Sequence, residues 1–229
     1  MDRLPAKSVD FIFADLPYSV TACKWDVPID LDKFWAQVKR VLKPSGIVVA
    51  TAMMRFAARL LATCTVPYRY DLVWHKRRAT GFLQSKKAPL RQHEHILVFA
   101  GKAPTYNVQM RTVENGGNGR ILAAGGHSEY LDFEHKRPAY QYTNQRFPTS
   151  VISPEYPTTE RGHHPTQKPL ALLEYLIKTY THEEDTVLDP VMGSGSTGVA
   201  CRNLNRHFIG IEKNYDYHRR AQIRIDQEA

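Results

Sequence analysis

The sequence predicts an α/β fold: a mostly parallel sheet with helices on both of its faces. Two observations lead to this prediction. Short apolar runs, such as 9–14 and 186–189, read as buried strands because turn-forming residues bound them. Stretches with helical periodicity follow these runs, as in 31–42, where apolar side chains recur every third or fourth position. Strands that alternate with helices are typical of α/β folds, and 229 residues suffice for one sizeable core with an inserted segment.

The elements can be placed in order along the chain. The first half contributes four strands and two helices, predicted at 9–14, 31–42, 47–51, 55–62, 72–74 and 96–99. The first of these helices should end at the turn-forming residues 44–46. The second half contributes three helices: one that begins at 170, one that follows the glycine-rich segment 193–198 and ends at about 203, and one that begins at 215. Strands are predicted at 186–189 and 208–212.

Between 101 and 160, prolines and paired glycines interrupt both the helical and the strand periodicity of apolar residues. An irregular insertion of this length should be functional. Its charges nearly cancel, so specificity there would depend on shape and hydrogen bonds. We therefore divide the chain into a first half of the main domain at 1–100, an insertion at 101–160 and a second half of the main domain at 161–229.

The composition favours an intracellular protein with a polyanionic partner. The formal charge is +8 and the isoelectric point is near 9.4, which suits nucleic acid because counterions are released on binding. Three scattered cysteines fit neither a disulfide framework nor a paired-cysteine metal site, and a reducing cytoplasm is expected. No stretch approaches the roughly 20 apolar residues of a membrane span, so we expect no membrane partner.

A strongly basic segment lies between the strands predicted at 72–74 and 96–99. It contains glycine and no acidic residue before Glu94, and it reads as a loop. Phe82 and Gln84 are interleaved with cations, which suits a surface that follows DNA phosphates, although a solvated charged surface is the alternative. The cations predicted to bind DNA are Lys76, Arg77, Arg78, Lys86, Lys87 and Arg91.

The segment 193–198 (GSGSTG) fits the pattern G-x-G-x-x-G between a strand and a helix. Its glycines allow a ligand to approach the backbone, and Glu212, at the end of the next strand, can bind both ribose hydroxyls of an adenosine. NAD and S-adenosylmethionine both carry that adenosine. A phosphate-binding P-loop is disfavoured because its lysine is absent, and a tight turn without a ligand is the remaining alternative.

Asp15-Leu16-Pro17-Tyr18 follows the first strand, where open α/β sheets place their chemistry. The exocyclic amine of a base is a poor nucleophile because its lone pair is delocalised into the ring. Two acceptors, the Asp15 carboxylate and the Leu16 carbonyl, would direct that lone pair at a methyl donor, and Tyr18 would stack on a flipped base. Hydride transfer to NAD has no evident use for this arrangement. Taken alone, the tetrapeptide is also a common turn.

With these motifs, the chain resembles the amino-methylating DNA methyltransferases of permuted motif order, the beta class. Three blocks carry the resemblance, at 8–18, 164–169 and 187–198, and 94–99 and 208–212 give weaker support. They stand in the order of that family: catalytic motif, target-recognition insertion, cofactor motif. The resemblance implies a Rossmann-like, S-adenosylmethionine-dependent fold and a restriction-modification or phage-type enzyme that methylates adenine N6 in double-stranded DNA. It also suggests a homodimer and a cognate restriction endonuclease.

The resemblance also implies a role for individual residues. The target-base pocket would consist of Asp15, Leu16, Pro17 and Tyr18. The cofactor would lie against Asp189, Pro190, Gly193, Ser194 and Gly195, with Glu212 on its ribose. Its methionine end would be held by Thr166, Gln167 and Lys168. The family usually has proline where this chain has Leu16, but the acceptor carbonyl is retained.

Four other functions remain open from the sequence. Methylation of RNA or of a protein amide uses related tetrapeptides, but the permuted motif order argues against both. Cytosine N4 is a second target base, although an aspartate at the first motif position favours adenine in this family. A noncatalytic DNA-binding companion would bind DNA without transferring a methyl group. An NAD-dependent oxidoreductase would explain the glycine segment and Glu212 but neither of the other blocks. None of these functions requires a metal, and we predict no metal ligands.

Overall fold

The computed structural model describes residues 1–18, 27–113, 121–122, 140–141, 144–154 and 167–227. The chain forms two compact units, Met1–Asn107 with Ser150–Ala229, and Val108–Thr149. The second unit therefore lies within the predicted insertion at 101–160 and is narrower than it. The described part holds five helices and eleven strands: α1 (Leu31–Val41), α2 (Met54–Thr63), α3 (Leu170–Tyr180), α4 (Ser196–Asn203) and α5 (Tyr215–Gln227); β1 (Val9–Ala14), β2 (Leu42–Ala52), β3 (Tyr68–Thr80), β4 (Arg91–Ala100), β5 (Arg111–Thr112), β6 (Ile121–Leu122), β7 (Tyr140–Gln141), β8 (Gln145–Arg146), β9 (Val151–Ile152), β10 (Thr186–Asp189) and β11 (His207–Gly210).

The first unit is built on a seven-stranded sheet in the order β11-β10-β1-β2-β4-β3-β9. Four of its six pairings are parallel, and β4 runs antiparallel to both of its neighbours. The prediction of a mostly parallel sheet is confirmed. Ile12 of β1 pairs with Leu188 of β10, so Asp15 and Asp189 leave the sheet at the same edge. In open α/β sheets, ligands bind where neighbouring strands send their connections to opposite sides, and this is such a point.

Helices cover both faces of the sheet, as predicted. Side chains alternate along β1, so that Ile12 packs with Trp35 of α1, whereas Phe11 packs with Leu172 of α3. Trp35 is fully buried, and every apolar residue of β1 is at most 2% exposed. This two-sided burial explains why β1 is apolar at every position except Asp10. It also makes the carboxyl end of β1 a rigid support for the residues that follow.

The structure differs from the sequence prediction at the end of the first helix. α1 ends at Val41, and Pro44, Ser45 and Gly46 lie within β2 and not in a turn. The pairing of β1 with β2 shifts register there, from Val9 opposite Leu42 to Phe11 opposite Ile47. A proline cannot donate to the ladder, so an irregularity in the strand accommodates it.

The basic loop predicted between 76 and 91 is shorter in the structure, where residues 81–90 alone connect β3 to β4. β3 and β4 continue outward as a hairpin, so Lys76, Arg77 and Arg78 lie in β3 and Arg91 begins β4. A short 3-10 turn, Phe82–Gln84, lies at the tip. Cross-strand hydrogen bonds satisfy the backbone of such a ribbon whatever its side chains are, so a run of charged residues gives no period-two signal. We call residues 76–91 the basic hairpin.

The second unit contains only short strand pairs in its described part. β5 pairs with β8 and β6 with β7, both antiparallel. The glycine-rich stretch 114–120 and residues 155–166 lie outside the described residues. Over the described ranges, no helix is both long and apolar enough to span a bilayer.

Candidate active site

Asp15, the first residue after β1, is held by contacts on both of its carboxylate oxygens. Oδ1 accepts a hydrogen bond from the hydroxyl of Thr51 in β2, and the Tyr18 hydroxyl lies 3.2 Å from the same oxygen. Lys168 Nζ donates to Oδ2 at 2.6 Å. Because each carboxylate oxygen has two acceptor positions, capacity remains for a further donor. The predicted catalytic carboxylate is therefore fixed in orientation.

The other residues of the tetrapeptide shape the corner. Leu16 is 2% exposed and lies in the same apolar cluster as Trp35 and Phe56. Burial thus anchors this position, where the family generally uses the fixed geometry of proline. The Tyr18 ring packs against Phe56 with centroids 5.2 Å apart. Burial, followed by the charges of Asp15 and Glu94, raises the pKa of Tyr18 well above its ordinary value, so its hydroxyl remains protonated.

Lys168 contacts the predicted catalytic carboxylate, and the sequence did not predict this contact. Its side chain is 9% exposed, and its Nζ lies 2.6 Å from Asp15 Oδ2 and 3.9 Å from Glu94 Oε2. Burial alone would lower the pKa of Lys168, but the carboxylates of Asp15 and Glu94 outweigh it and raise that pKa. Contact between Lys168 and the methionine end of the cofactor remains a prediction.

Asp189, at the end of β10, organises the start of the glycine-rich segment. Its Oδ1 accepts from the backbone N–H of Val191 at 3.0 Å, and its Oδ2 accepts from the Thr197 hydroxyl at 2.6 Å. Burial raises the pKa of Asp189 to about 7, although both hydrogen bonds oppose that rise and Asp15 adds to it. Asp189 therefore changes its protonation state near neutral pH.

This raised pKa predicts a pH-dependent stability. Because the folded-state pKa of about 7 exceeds the ordinary value near 3.9, the neutral carboxyl stabilises the fold below about pH 4, and this stability is lost as pH rises through 7. Asn at this position cannot ionise, and the Thr197 hydroxyl can reverse to accept from its amide. We expect Asp189→Asn to unfold with the same free energy as the wild type at pH 4, and with on the order of 4 kcal/mol more at pH 8. Urea denaturation across this range checks it, and a difference that does not vary with pH would contradict it.

Glu212 closes the glycine-rich segment from the neighbouring strand end. Its Oε2 accepts from the backbone N–H of Gly193 at 3.0 Å, and its Oε1 accepts from that of Asn214 at 2.8 Å. Gly193 and Gly195 both have positive φ, +49° and +77°, which explains why glycine occupies these positions. A carboxylate fixed in this way retains acceptor positions for ribose hydroxyls.

A buried arginine supports the same segment. Arg224 of α5 is 6% exposed, and its Nη1 donates to the Ser196 hydroxyl at 2.9 Å and lies 3.3 Å from the carbonyl of Ser194. Ser194 is buried, and its hydroxyl lies 3.3 Å from that of Ser196. Sequence reasoning missed Arg224, since an arginine in an amphipathic terminal helix gives no sign that it is buried.

The predicted site residues differ in how far the structure brings them together. Asp15, Tyr18 and Lys168 are in contact, and Gln167 is buried beside Lys168, whereas Thr166 lies outside the described residues. The site residues missed from sequence are Thr51, Trp74, Glu94 and Arg224. In the basic hairpin, Lys76 is mostly buried and contacts Glu94, and the other five cations are exposed. Within the described ranges, no three His, Cys, Asp or Glu side chains form a group that could hold a metal.

The site fits an adenosine-containing methyl donor. Two glycines with positive φ shape the segment after β10, and the Glu212 carboxylate lies beside them with capacity to accept from a ribose. A second fixed carboxylate, Asp15, lies at the same sheet edge and has no role in hydride transfer. Fold and site together therefore define an α/β methyltransferase.

Comparison with known proteins identifies the family. Residues 9–223 match the DNA methylase family of N6 and N4 methyltransferases, and the chain belongs to it. DNA adenine methyltransferase YhdJ from Escherichia coli (strain K12) is 34% identical over 244 residues, 99% of this chain and 79% of the relative. Type II methyltransferase M.HpaI from Haemophilus parainfluenzae is 27% identical over 251 residues, 100% of this chain and 71% of the relative.

Solved structures of DNA methyltransferases share the fold of this chain. The crystal structure of the M1.HpyAVI-SAM complex superposes with a TM-score of 0.62 at 26% identity, covering 95% of this chain and 89% of the other. The cytosine-N4-specific PvuII DNA methyltransferase shares the fold, with a TM-score of 0.67 at 15% identity, covering 97% of this chain and 81% of the other. The resemblance to beta-class enzymes is confirmed, and the cofactor is S-adenosylmethionine.

Proposed function

We propose that this protein methylates the exocyclic N6 amine of adenine in DNA, using S-adenosylmethionine. The observation that carries the proposal is the Asp15 carboxylate, fixed by Thr51 and Lys168 at the sheet edge that also carries the glycine-rich segment. When bound, the cofactor supplies a methyl group on a positively charged sulfur. Gly193, Gly195, Asp189 and Glu212 would hold it, and Gln167 and Lys168 lie beside the catalytic corner.

The residues of this chain would act mainly by orientation and charge. The Asp15 carboxylate and the Leu16 carbonyl would accept from the two amine hydrogens and turn the nitrogen lone pair toward the methyl group. As the nitrogen bonds to the methyl carbon, that carbon would part from sulfur, which leaves as a neutral thioether. The nitrogen gains positive charge, which the adjacent carboxylate would stabilise until one amine proton is lost to solvent. Lys168 and Thr51 keep that carboxylate from rotating. Tyr18 and Pro17 would line the pocket of a base flipped from the duplex.

Adenine is favoured over cytosine by the chemistry at the first motif position. Aspartate stands there in this chain, and serine is more common in cytosine N4 enzymes of this class. The relative YhdJ is named as an adenine methyltransferase, which supports the same base. Cytosine N4 methylation is the second candidate, because the family includes both activities and the PvuII enzyme shares the fold.

Methyl transfer itself separates this function from its rivals. Purified protein, labelled S-adenosylmethionine and duplex DNA should yield labelled DNA, whereas matched RNA should remain unlabelled. Calorimetry should detect binding of S-adenosylmethionine and none of NAD. Binding of NAD would favour an oxidoreductase, and DNA binding without transfer would favour a noncatalytic companion.

The basic hairpin is proposed to contact DNA phosphates. Arg77, Arg78, Lys86 and Lys87 are exposed and share one sign of charge. Replacing all four by Ala should weaken DNA binding strongly at low salt and flatten the slope of log affinity against log salt by about 0.9 per lost phosphate contact. Fluorescence anisotropy at several salt concentrations measures both quantities.

A matched control for the hairpin variant lies on α1. Lys33 and Lys39 are exposed cations on that helix, and replacing both by Ala should leave the salt slope unchanged. If the slope of log affinity against log salt flattened equally in both variants, net charge, and not the hairpin, would drive DNA binding.

Partners and location follow from the proposed function. We propose that residues 101–160 recognise the target sequence and that the protein acts in the cytoplasm. It is further proposed to form a homodimer and to accompany a cognate restriction endonuclease. Type II methyltransferases among its relatives, such as M.HpaI, support the last proposal. Light scattering of the purified protein, with and without DNA, distinguishes a dimer from a monomer.

A further inference from the structure

Glu94 is a buried carboxylate that none of the predicted roles uses. It lies in β4, is 5% exposed and faces two ammonium groups. Its Oε1 contacts Lys76 Nζ, and its Oε2 lies 3.9 Å from Lys168 Nζ. A buried carboxylate is costly unless it is paired, and here two lysines pair with it.

These residues form a chain of alternating charge that ends at the catalytic aspartate. The order is Lys76, Glu94, Lys168, Asp15, with Lys168 donating to Asp15 Oδ2 at 2.6 Å. The Trp74 ring lies beneath both ammonium groups, 5.2 Å from Lys76 Nζ and 5.8 Å from Lys168 Nζ. Four separate parts of the fold therefore meet here: β3, β4, the segment before α3 and the end of β1.

Without Glu94, Lys168 would be a buried cation with Asp15 as its nearest counter-charge. The ammonium would then be free to shift toward Asp15 or to lose its proton in the low-dielectric interior. Either change would alter the carboxylate that must accept from the substrate amine. Glu94 supplies a second counter-charge, from β4, and so helps to fix the position of Lys168.

We propose that Glu94 is a positioning residue for methyl transfer: it holds Lys168 against Asp15, and thereby keeps the Asp15 carboxylate oriented. This rests on the proposed function. Because Glu94 acts on Asp15 through Lys168, its removal should impair the transfer step more than it impairs cofactor binding.

The decisive variant is Glu94→Gln, which keeps the shape and removes the charge. We expect kcat to fall by about 30-fold to 100-fold, as for a misplaced catalytic group, with KM for S-adenosylmethionine changed less than about threefold. In the profile of kcat against pH, the alkaline limb, where kcat falls at high pH, should also move to lower pH. The reason is that Lys168 loses a negative neighbour and therefore deprotonates at lower pH. The charged or titratable groups near Lys168 are Asp15, Glu94, Lys76, Tyr18 and Asp189.

Two further variants keep the test decisive. Glu94→Asp retains the charge and should restore the alkaline limb to its wild-type position, which a merely structural role would not require. If Glu94→Gln does not fold, Lys76→Met combined with Glu94→Gln replaces the pair by neutral groups and should show the same fall in kcat. Asp71→Asn, which removes a β3 carboxylate that pairs with His95 of β4, should behave as the wild type.

An unchanged kcat together with an unchanged alkaline limb, in a folded variant that lacks the Glu94 charge, would overturn the proposal. Failure of the proposed function would look different, because the wild type would then transfer no methyl group. NMR of lysine side chains reports the titration of Lys168 without DNA. A Lys168 that titrates at the same pH in the wild type and in Glu94→Gln would refute the electrostatic link in either case.

Discussion

Replacing Asp15 by Asn should lower the rate of methyl transfer by about 1,000-fold, as expected when a preorganised charged contact to the reacting atom is removed. Asn removes the negative charge that stabilises the developing positive charge on the amine. It also turns an amide N–H either toward the substrate or toward Lys168. In the wild type, a carboxylate oxygen of Asp15 accepts from Lys168 Nζ at 2.6 Å. Single-turnover transfer of labelled methyl groups to DNA measures this effect.

Cofactor affinity is the control for the Asp15 variant. Asp15 is separate from the carboxylate of Glu212 that would bind the ribose, so calorimetry should give an affinity for S-adenosylmethionine within about threefold of the wild type. A variant that keeps more than a tenth of the wild-type rate would remove Asp15 from the catalytic role.

The second large effect is expected at Gly195, the N-cap residue of α4. Its φ is +77°, and a Cβ there would lie 2.9 Å from the Cβ of Ala221 in α5 and 3.1 Å from its Cα. Gly195→Val therefore combines left-handed strain with overpacking, and we expect the free energy of unfolding to fall by about 2–5 kcal/mol. Relief of the strain and of the contact with Ala221 would shift the backbone at 193–196, so affinity for S-adenosylmethionine should fall at least about 30-fold.

Gly81 offers a matched control for that substitution. Its φ is +90°, but a Cβ there would meet nothing within 4 Å, and it lies in the basic hairpin. Gly81→Val should show only the backbone strain, about 1–3 kcal/mol, with unchanged cofactor affinity. Equal cofactor affinity in Gly195→Val and the wild type, measured by calorimetry on folded protein, would show that the glycine-rich segment does not hold the cofactor.

The fold was predictable where local pattern and burial coincide. β1 is an apolar run because both faces of the sheet are covered, and the residue that follows it, Asp15, stands out as the first acidic group beyond the run. Asp189 and Glu212 could be placed for the same reason, since parallel neighbours end at one edge. The basic hairpin was missed because its strands project beyond the core, where no alternation of apolar and polar side chains is imposed.

The contacts that define the catalytic corner could not be predicted from spacing. Lys168 is 153 positions from Asp15, and the motif that contains it suggested the cofactor and not the carboxylate. Glu94 and Trp74 gave no signal because a single acidic or aromatic residue in a strand is ordinary in sequence. Their significance depends on the antiparallel pairing of β3 with β4, which places Trp74 opposite Glu94.

The most direct test of the central claim identifies the methylated base. Duplex DNA incubated with the protein and methyl-labelled S-adenosylmethionine is digested to nucleosides and analysed by mass spectrometry. We predict labelled N6-methyldeoxyadenosine with the wild type and none with Asp15→Asn. Label on N4 of deoxycytidine, or no labelled nucleoside from a protein that binds both cofactor and DNA, would contradict the proposal.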